Sequence, residues 1–168
     1  TMLPDDKVVR KVVLGEGAEN CVAASLAAGA VIIDMGTSDP TGTRGLAAAL
    51  EPRGIAVVDA PVMGGVVFAK DATLDIMVGG EAALVERLKP LFEALGRSII
   101  CCGGVGTAHA LKALANYVNA CALINVIEAL AIGKRFGLDA KFMADALVPL
   151  CAGRNHPIEK KVIPHILT

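Results

Sequence analysis

The sequence has no tryptophan, and aromatic residues make up only 3 % of its 168 positions. A core with so few rings must be filled by Ala, Val, Leu and Ile, which suits helices lying close on a buried sheet. Neither charge is in surplus: 16 Lys+Arg stand against 17 Asp+Glu. That balance lacks the basic stripe of a nucleic-acid binder, so no nucleic-acid partner is expected. There is no C-x-x-C pair. Cys21, Cys101, Cys102, Cys121 and Cys151 are odd in number and without metal-like spacing, so reduced thiols, no metal and a cytoplasmic protein are expected, with Cys101-Cys102 in a buried strand. The opening Thr1-Met2-Leu3-Pro4-Asp5-Asp6 lacks the basic-then-apolar run of a signal peptide. The most membrane-like stretch, Leu114 to Ile132, is interrupted by Asn116, Asn119, Asn125 and Glu128. Those four groups point to a buried core helix and to no membrane partner.

Short apolar runs alternate with helical patterns along the first two-thirds. Strands are expected at 31–34, 55–59, 73–78 and 98–102, closed by glycines and Pro40. Helices are expected at 40–53, with Asp39 as N-cap and Pro40 at the first helical position, and at 81–95, with a kink at Pro90. This alternation predicts an α/β fold with a mostly parallel sheet. After Gly103-Gly104 the pattern changes. From about Val105 to Phe136 no proline occurs, so one helix of roughly 30 residues, about 45 Å long, is expected. Another follows at 140–148 with Asp139 as its cap, then a Gly-Arg-Asn turn and one more short helix. A boundary is therefore expected near Gly104, between an α/β unit (1–104) and an all-helical unit (105–168).

Two constellations carry candidate chemistry. In the long helix, His109, Lys112, Asn116 and Asn119 fall within a stripe about 80° wide. A lysine there either faces a solvent gap and does nothing, or stands against apolar walls. In the second case its ammonium form is disfavoured and it can exchange protons near neutrality, as a general acid/base must. The other constellation is Asp59-Ala60-Pro61-Val62-Met63-Gly64-Gly65, directly after a strand and so at the carboxyl edge of the sheet, where α/β proteins bind ligands. Its paired glycines make an ordinary tight turn or let backbone N–H groups approach an anion.

Taken in order, DAPVMGG, TLDIMVGG, GGVGTAHALKALANY and EALAIGKRFGLD resemble the β-hydroxyacid dehydrogenase family, and the opening TMLP and DMGTSDP fit the same pattern. The resemblance covers nearly the whole chain. It implies a Rossmann-type unit followed by the start of a helical domain. It also implies NAD- or NADP-dependent oxidation of a small, 3-hydroxyisobutyrate-like hydroxyacid, or reduction of the matching semialdehyde. By the same resemblance, Lys112 is the proton-transfer lysine and Asn116 orients the substrate. Gly64 and Gly65 bind its carboxylate, next to Met63, and Leu3, Pro4 and Thr37 line the cofactor. A homo-oligomer is expected, because the family's long helix is commonly at a subunit contact.

Three departures qualify the pattern. Met63 stands where the family usually has Ser, and Ala115 where it has Asn or His; each change removes a polar contact to the substrate. The family's G-x-G-x-x-G turn, which cradles the pyrophosphate, has no counterpart here, so the chain is expected to belong to a longer protein. The alternative from another class is a binding or oligomerisation module that kept the fold and lost the chemistry.

Overall fold

The structure is a computed structural model and describes residues 1–15 and 20–151. The expected Gly-Arg-Asn turn and final short helix lie outside the described residues.

Helix α1 (Asp6–Leu14) starts at Asp5, whose carboxylate accepts from Val8 N at 2.8 Å, and stops at Gly15, which has a left-handed φ of 66°. Further on, α2 (Pro40–Leu50) begins as the Asp39-Pro40 pair predicts: Asp39 accepts from Thr41 N and Gly42 N, and Pro40 needs no N–H partner there. A short 3₁₀ turn, Glu51–Arg53, extends it. Between and after these lie strands β1 (Val31–Asp34) and β2 (Ala56–Asp59), paired in parallel from Val31↔Ala56 to Asp34↔Asp59.

Strand β3 (Val62–Met63), helix α3 (Gly65–Lys70) and strand β4 (Leu74–Gly79) follow. Helix α4 (Ala82–Glu93) runs through Pro90 and is capped by Glu81; β5 (Gly96–Gly103) completes the sheet. The order is β1-β2-β4-β3, with β5 also on β4. The two long ladders, β1/β2 and β4/β5, are parallel, as the strand–helix alternation predicts. The antiparallel pairs are short: Asp59↔Gly79, and Val62↔Ile76 with Met63↔Asp75. Helix α1, the two-residue β3 and the six-residue α3 are additions that the sequence reading did not place.

Successive residues of a strand point to opposite faces. Val57 thus joins Val9, Val13, Ile32, Leu46 and Leu50 under α1 and α2, whereas Val58 joins Ile76, Val78, Val85 and Phe92 under α4. The aliphatic core expected from the composition is what fills both layers. The expectation of a buried strand at Cys101-Cys102 is corrected: β5 is paired only to β4 among the described strands, and Cys101 is exposed and Cys102 half-buried.

Helix α5 (Thr107–Arg135) is continuous, and α6 (Ala140–Cys151) follows with Asp139 accepting from Phe142 N at 2.9 Å. Contacts divide the chain into Thr1–Tyr117 and Val118–Thr168, so the first turns of α5 go with the sheet, beyond the boundary expected near Gly104. In the second unit, Gly133 lets Met143 of α6 lie against α5 where a Cβ would collide with the thioether. The expectation that Leu114 to Ile132 is buried is also corrected. Leu114, Leu123, Ile124, Ile127 and Ile132 are exposed. Four polar groups on a helix speak against lipid but do not specify what covers the apolar positions between them. By length and composition alone α5 could cross a membrane.

Candidate active site

Asp59 closes β2 and is fully buried. Its carboxylate forms no ion pair with a described lysine or arginine; it accepts from Gly106 N at 2.7 Å and His109 N at 2.9 Å. A strand end thus caps the start of α5, satisfying two helix N–H groups that have no partner within the helix. Gly79 makes this possible, because a Cβ there would lie 2.6 Å from Asp59 Oδ1.

One residue in the first turn of α5, His109, is 1 % exposed. Its Nδ1 lies 2.8 Å from Thr43 Oγ1 and its Nε2 lies 3.2 Å from Gly36 O. A carbonyl oxygen only accepts, so Nε2 carries a proton. Asp34 Oδ2 stands 3.8 Å from Nε2, and Asp59 Oδ2 4.0 Å from Nδ1.

Lys112, one turn later, is 8 % exposed. Its ammonium donates to Val62 O at 2.8 Å and contacts Met63 Sδ at 2.6 Å. It forms no ion pair with a described residue. Burial without a compensating charge pushes its pKa below the ordinary lysine value.

Met63, Gly64 and Gly65 form the turn from β3 into α3. Gly64 has φ 123° and Gly65 φ 70°; a Cβ on Gly64 would meet Phe68 at 2.7 Å, whereas Gly65 faces open space. The turn is therefore a glycine site for backbone reasons at both positions. Phe68 in turn lies under the Arg97 guanidinium, which holds Asp75 by two bonds of 3.1 Å.

On the other side of His109, Gly36 packs so closely on Leu3 that a Cβ would lie 2.9 Å from Leu3 O. Met35 N donates to Thr1 O, and Asp34 gathers Thr1 Oγ1, Gly36 N and Ser38 Oγ. Leu3 is thereby brought to the loop that carries Thr37. Pro4 and Thr37 are exposed nearby in sequence, and Asn116 is exposed one turn beyond Lys112. The structure therefore joins Lys112 directly to Met63, and Leu3 to the Thr37 loop. Asn116 makes no described hydrogen bond.

Asp34, Thr43, Asp59 and His109 were not assigned roles from sequence. The signal for His109 was its place three residues before Lys112 on one stripe; for Asp59, a carboxylate ending a buried β-branched strand.

Comparison with known proteins agrees over the whole chain. Residues 1–104 match the family model described as the NAD binding domain of 6-phosphogluconate dehydrogenase. Residues 106–168 match that described as the NAD-binding domain of NADP-dependent 3-hydroxyisobutyrate dehydrogenase. An NAD-dependent L-serine dehydrogenase of Pseudomonas aeruginosa is 37 % identical over 95 % of this chain and 52 % of its own length. A 2-(hydroxymethyl)glutarate dehydrogenase of Eubacterium barkeri is 33 % identical over 100 % of this chain and 54 % of its own. Among solved structures, the 3-hydroxyisobutyrate dehydrogenase of Mycobacterium tuberculosis with L-serine superimposes at a TM-score of 0.79, with 33 % identity over 96 % of this chain and 52 % of that one. The chain spans about half the length of the curated relatives it matches.

Proposed function

The chain belongs to the β-hydroxyacid dehydrogenase family, and from that premise we propose that its protein oxidises a small, 3-hydroxyisobutyrate-like hydroxyacid, or reduces the matching semialdehyde. The observation that carries the reading is Lys112, a buried lysine with no anionic partner among the described residues.

In the oxidation direction the neutral Lys112 amine accepts the substrate hydroxyl proton as hydride leaves the carbon that bears this hydroxyl, so that a carbonyl forms. The carboxylate lies on the Gly64–Gly65 turn, and Asn116 orients the reacting carbon from the next helical turn. Because burial lowers the pKa of Lys112, the neutral amine forms at a lower pH than for an exposed lysine. Oxidation should therefore rise with pH through that lowered value.

NAD or NADP, when bound, takes up the hydride. By the resemblance Leu3, Pro4 and Thr37 would line that cofactor; Leu3 packs on Gly36, the residue before Thr37, where a Cβ would lie 2.9 Å from Leu3 O. The 168 residues hold no G-x-G-x-x-G turn for the pyrophosphate.

The alternative of a non-catalytic module is favoured by Met63, whose thioether occupies the lysine where a hydroxyl donor is usual in the family. The test is turnover by the full gene product. Formation of reduced nicotinamide is followed with 3-hydroxyisobutyrate and L-serine in turn. Lys112→Ala should lower kcat by about 10²–10⁴ and leave cofactor affinity unchanged. Lys112→Arg should fail nearly as badly, because guanidinium stays protonated. Near-normal turnover in Lys112→Ala would sink the reading.

A further inference from the structure

We infer that His109 is a positioning residue: it registers the lysine's helix against the 36–38 loop, so that proton acceptor and cofactor wall keep one fixed spacing. This rests on the proposed role of Lys112.

The argument begins with satisfaction of a buried polar ring. Both imidazole nitrogens have partners, and the two partners lie on different segments. Thr43 belongs to the first turn of α2, and Gly36 to the loop between β1 and α2. The His109 backbone N–H is bonded to a third segment, the end of β2, through Asp59. A core-filling residue would not require this. Leu or Phe would supply the volume at no polar cost, whereas an unpaired buried ring nitrogen or partner carries a penalty. Thr43 is committed in its turn. Its backbone N–H donates to Asp39 O, and its single hydroxyl proton goes to His109 Nδ1, the acceptor in the Nε2–H tautomer, rather than to Asp39 O at 3.0 Å. The α2 end of the link is therefore rigid.

His109 and Lys112 are i and i+3, on neighbouring turns of one helical face. A displacement of the first turn is passed to the lysine, whose ammonium is held, among the described residues, by Val62 O and Met63 Sδ. On the opposite side, the Gly36 carbonyl belongs to the residue that packs on Leu3 and precedes Thr37. The groups facing the imidazole are two carboxylates, Asp34 from β1 and Asp59 from β2, together with Thr43 from α2. No described lysine or arginine forms an ion pair with either carboxylate. Replacing the ring by an apolar one therefore loosens the loop as well as the helix.

The experiment compares His109→Phe, His109→Gln and Thr43→Val with wild type in the full gene product, each with its melting temperature. His109→Phe keeps the ring volume and removes both bonds; His109→Gln keeps a donor for the Gly36 carbonyl. Expected is a fall in kcat of about 10–10²-fold in His109→Phe, the size of a small misplacement of a reacting group, and a raised cofactor KM. The limb of the kcat–pH profile set by Lys112 should move to higher pH, because a loosened lysine is better hydrated. His109→Gln should recover most of kcat, and Thr43→Val should shift the same limb by less. A purely structural histidine would lower the melting temperature and leave kcat and the pH limb in place in every variant that folds. That result overturns the inference. If His109→Phe does not fold, the pH limb in Thr43→Val decides, and an unmoved limb there is equally fatal. Lys112→Ala in the same assay separates the layers. Retained turnover there overturns the dehydrogenase lysine itself, whereas lost turnover with unaffected His109 variants overturns only the positioning.

Discussion

At the scale of single residues, Met63 holds the most specific chemistry. A thioether is a weak acceptor with no proton to give, so beside the Gly64–Gly65 turn it offers a substrate carboxylate nothing. It does occupy the lysine ammonium, at 2.6 Å. Met63→Ser should supply a hydroxyl donor and free one face of Lys112. A hydrogen bond to a charged group contributes about 1.5–3 kcal/mol, so KM for a carboxylate substrate should fall by about 10-fold or more, read from initial rates. An unchanged KM would place the carboxylate elsewhere. Lys112 itself was legible in the sequence as a charge inside an apolar helix, because a buried lysine without a role is costly. Its acceptor was not, since a contact between residues 49 and 50 positions apart depends on how β3 turns, and a two-residue strand leaves no periodic trace.

At the scale of elements, the start of α5 depends on a carboxylate from another strand. Asp59→Ala would leave Gly106 N and His109 N buried without an acceptor. Each such orphan costs about 1–3 kcal/mol, so unfolding in denaturant should show a loss of roughly 2–5 kcal/mol. A loss under about 1 kcal/mol would mean that the helix start is held by other contacts. The helices that announce themselves by a capping aspartate and proline, such as α2, were readable to within a few residues, and so was α5, which lacks any interior proline. Helices α1 and α3 were not. The first has its cap and its glycine stop, but its apolar face is a few valines among lysines; the second is six residues long, below any helical repeat that could be recognised. The long helix's surroundings were misjudged for a different reason. Hydropathy records how apolar a segment is and carries no information about what lies beside it.

At the scale of the whole molecule, we propose a second copy of the chain as the cover of the exposed apolar positions of α5. Contiguous apolar surface on a soluble monomer rarely exceeds a few hundred Å², and Leu123, Ile124, Ile127 and Ile132 all lie open. Sedimentation velocity should show dimers or larger species at micromolar concentration; a clean monomer across the accessible range would refute this. Within the sheet unit, one arrangement has a consequence for precision. Asp59 anchors the helix that bears Lys112, and Val62 and Met63, three and four residues on, receive its ammonium. The instrument and its reference are mounted on the same short bracket. Vibration or drift of that bracket is common-mode: it carries lysine and acceptors together and cancels in the separation between them, so sequence change elsewhere in the sheet can accumulate with little loss of alignment.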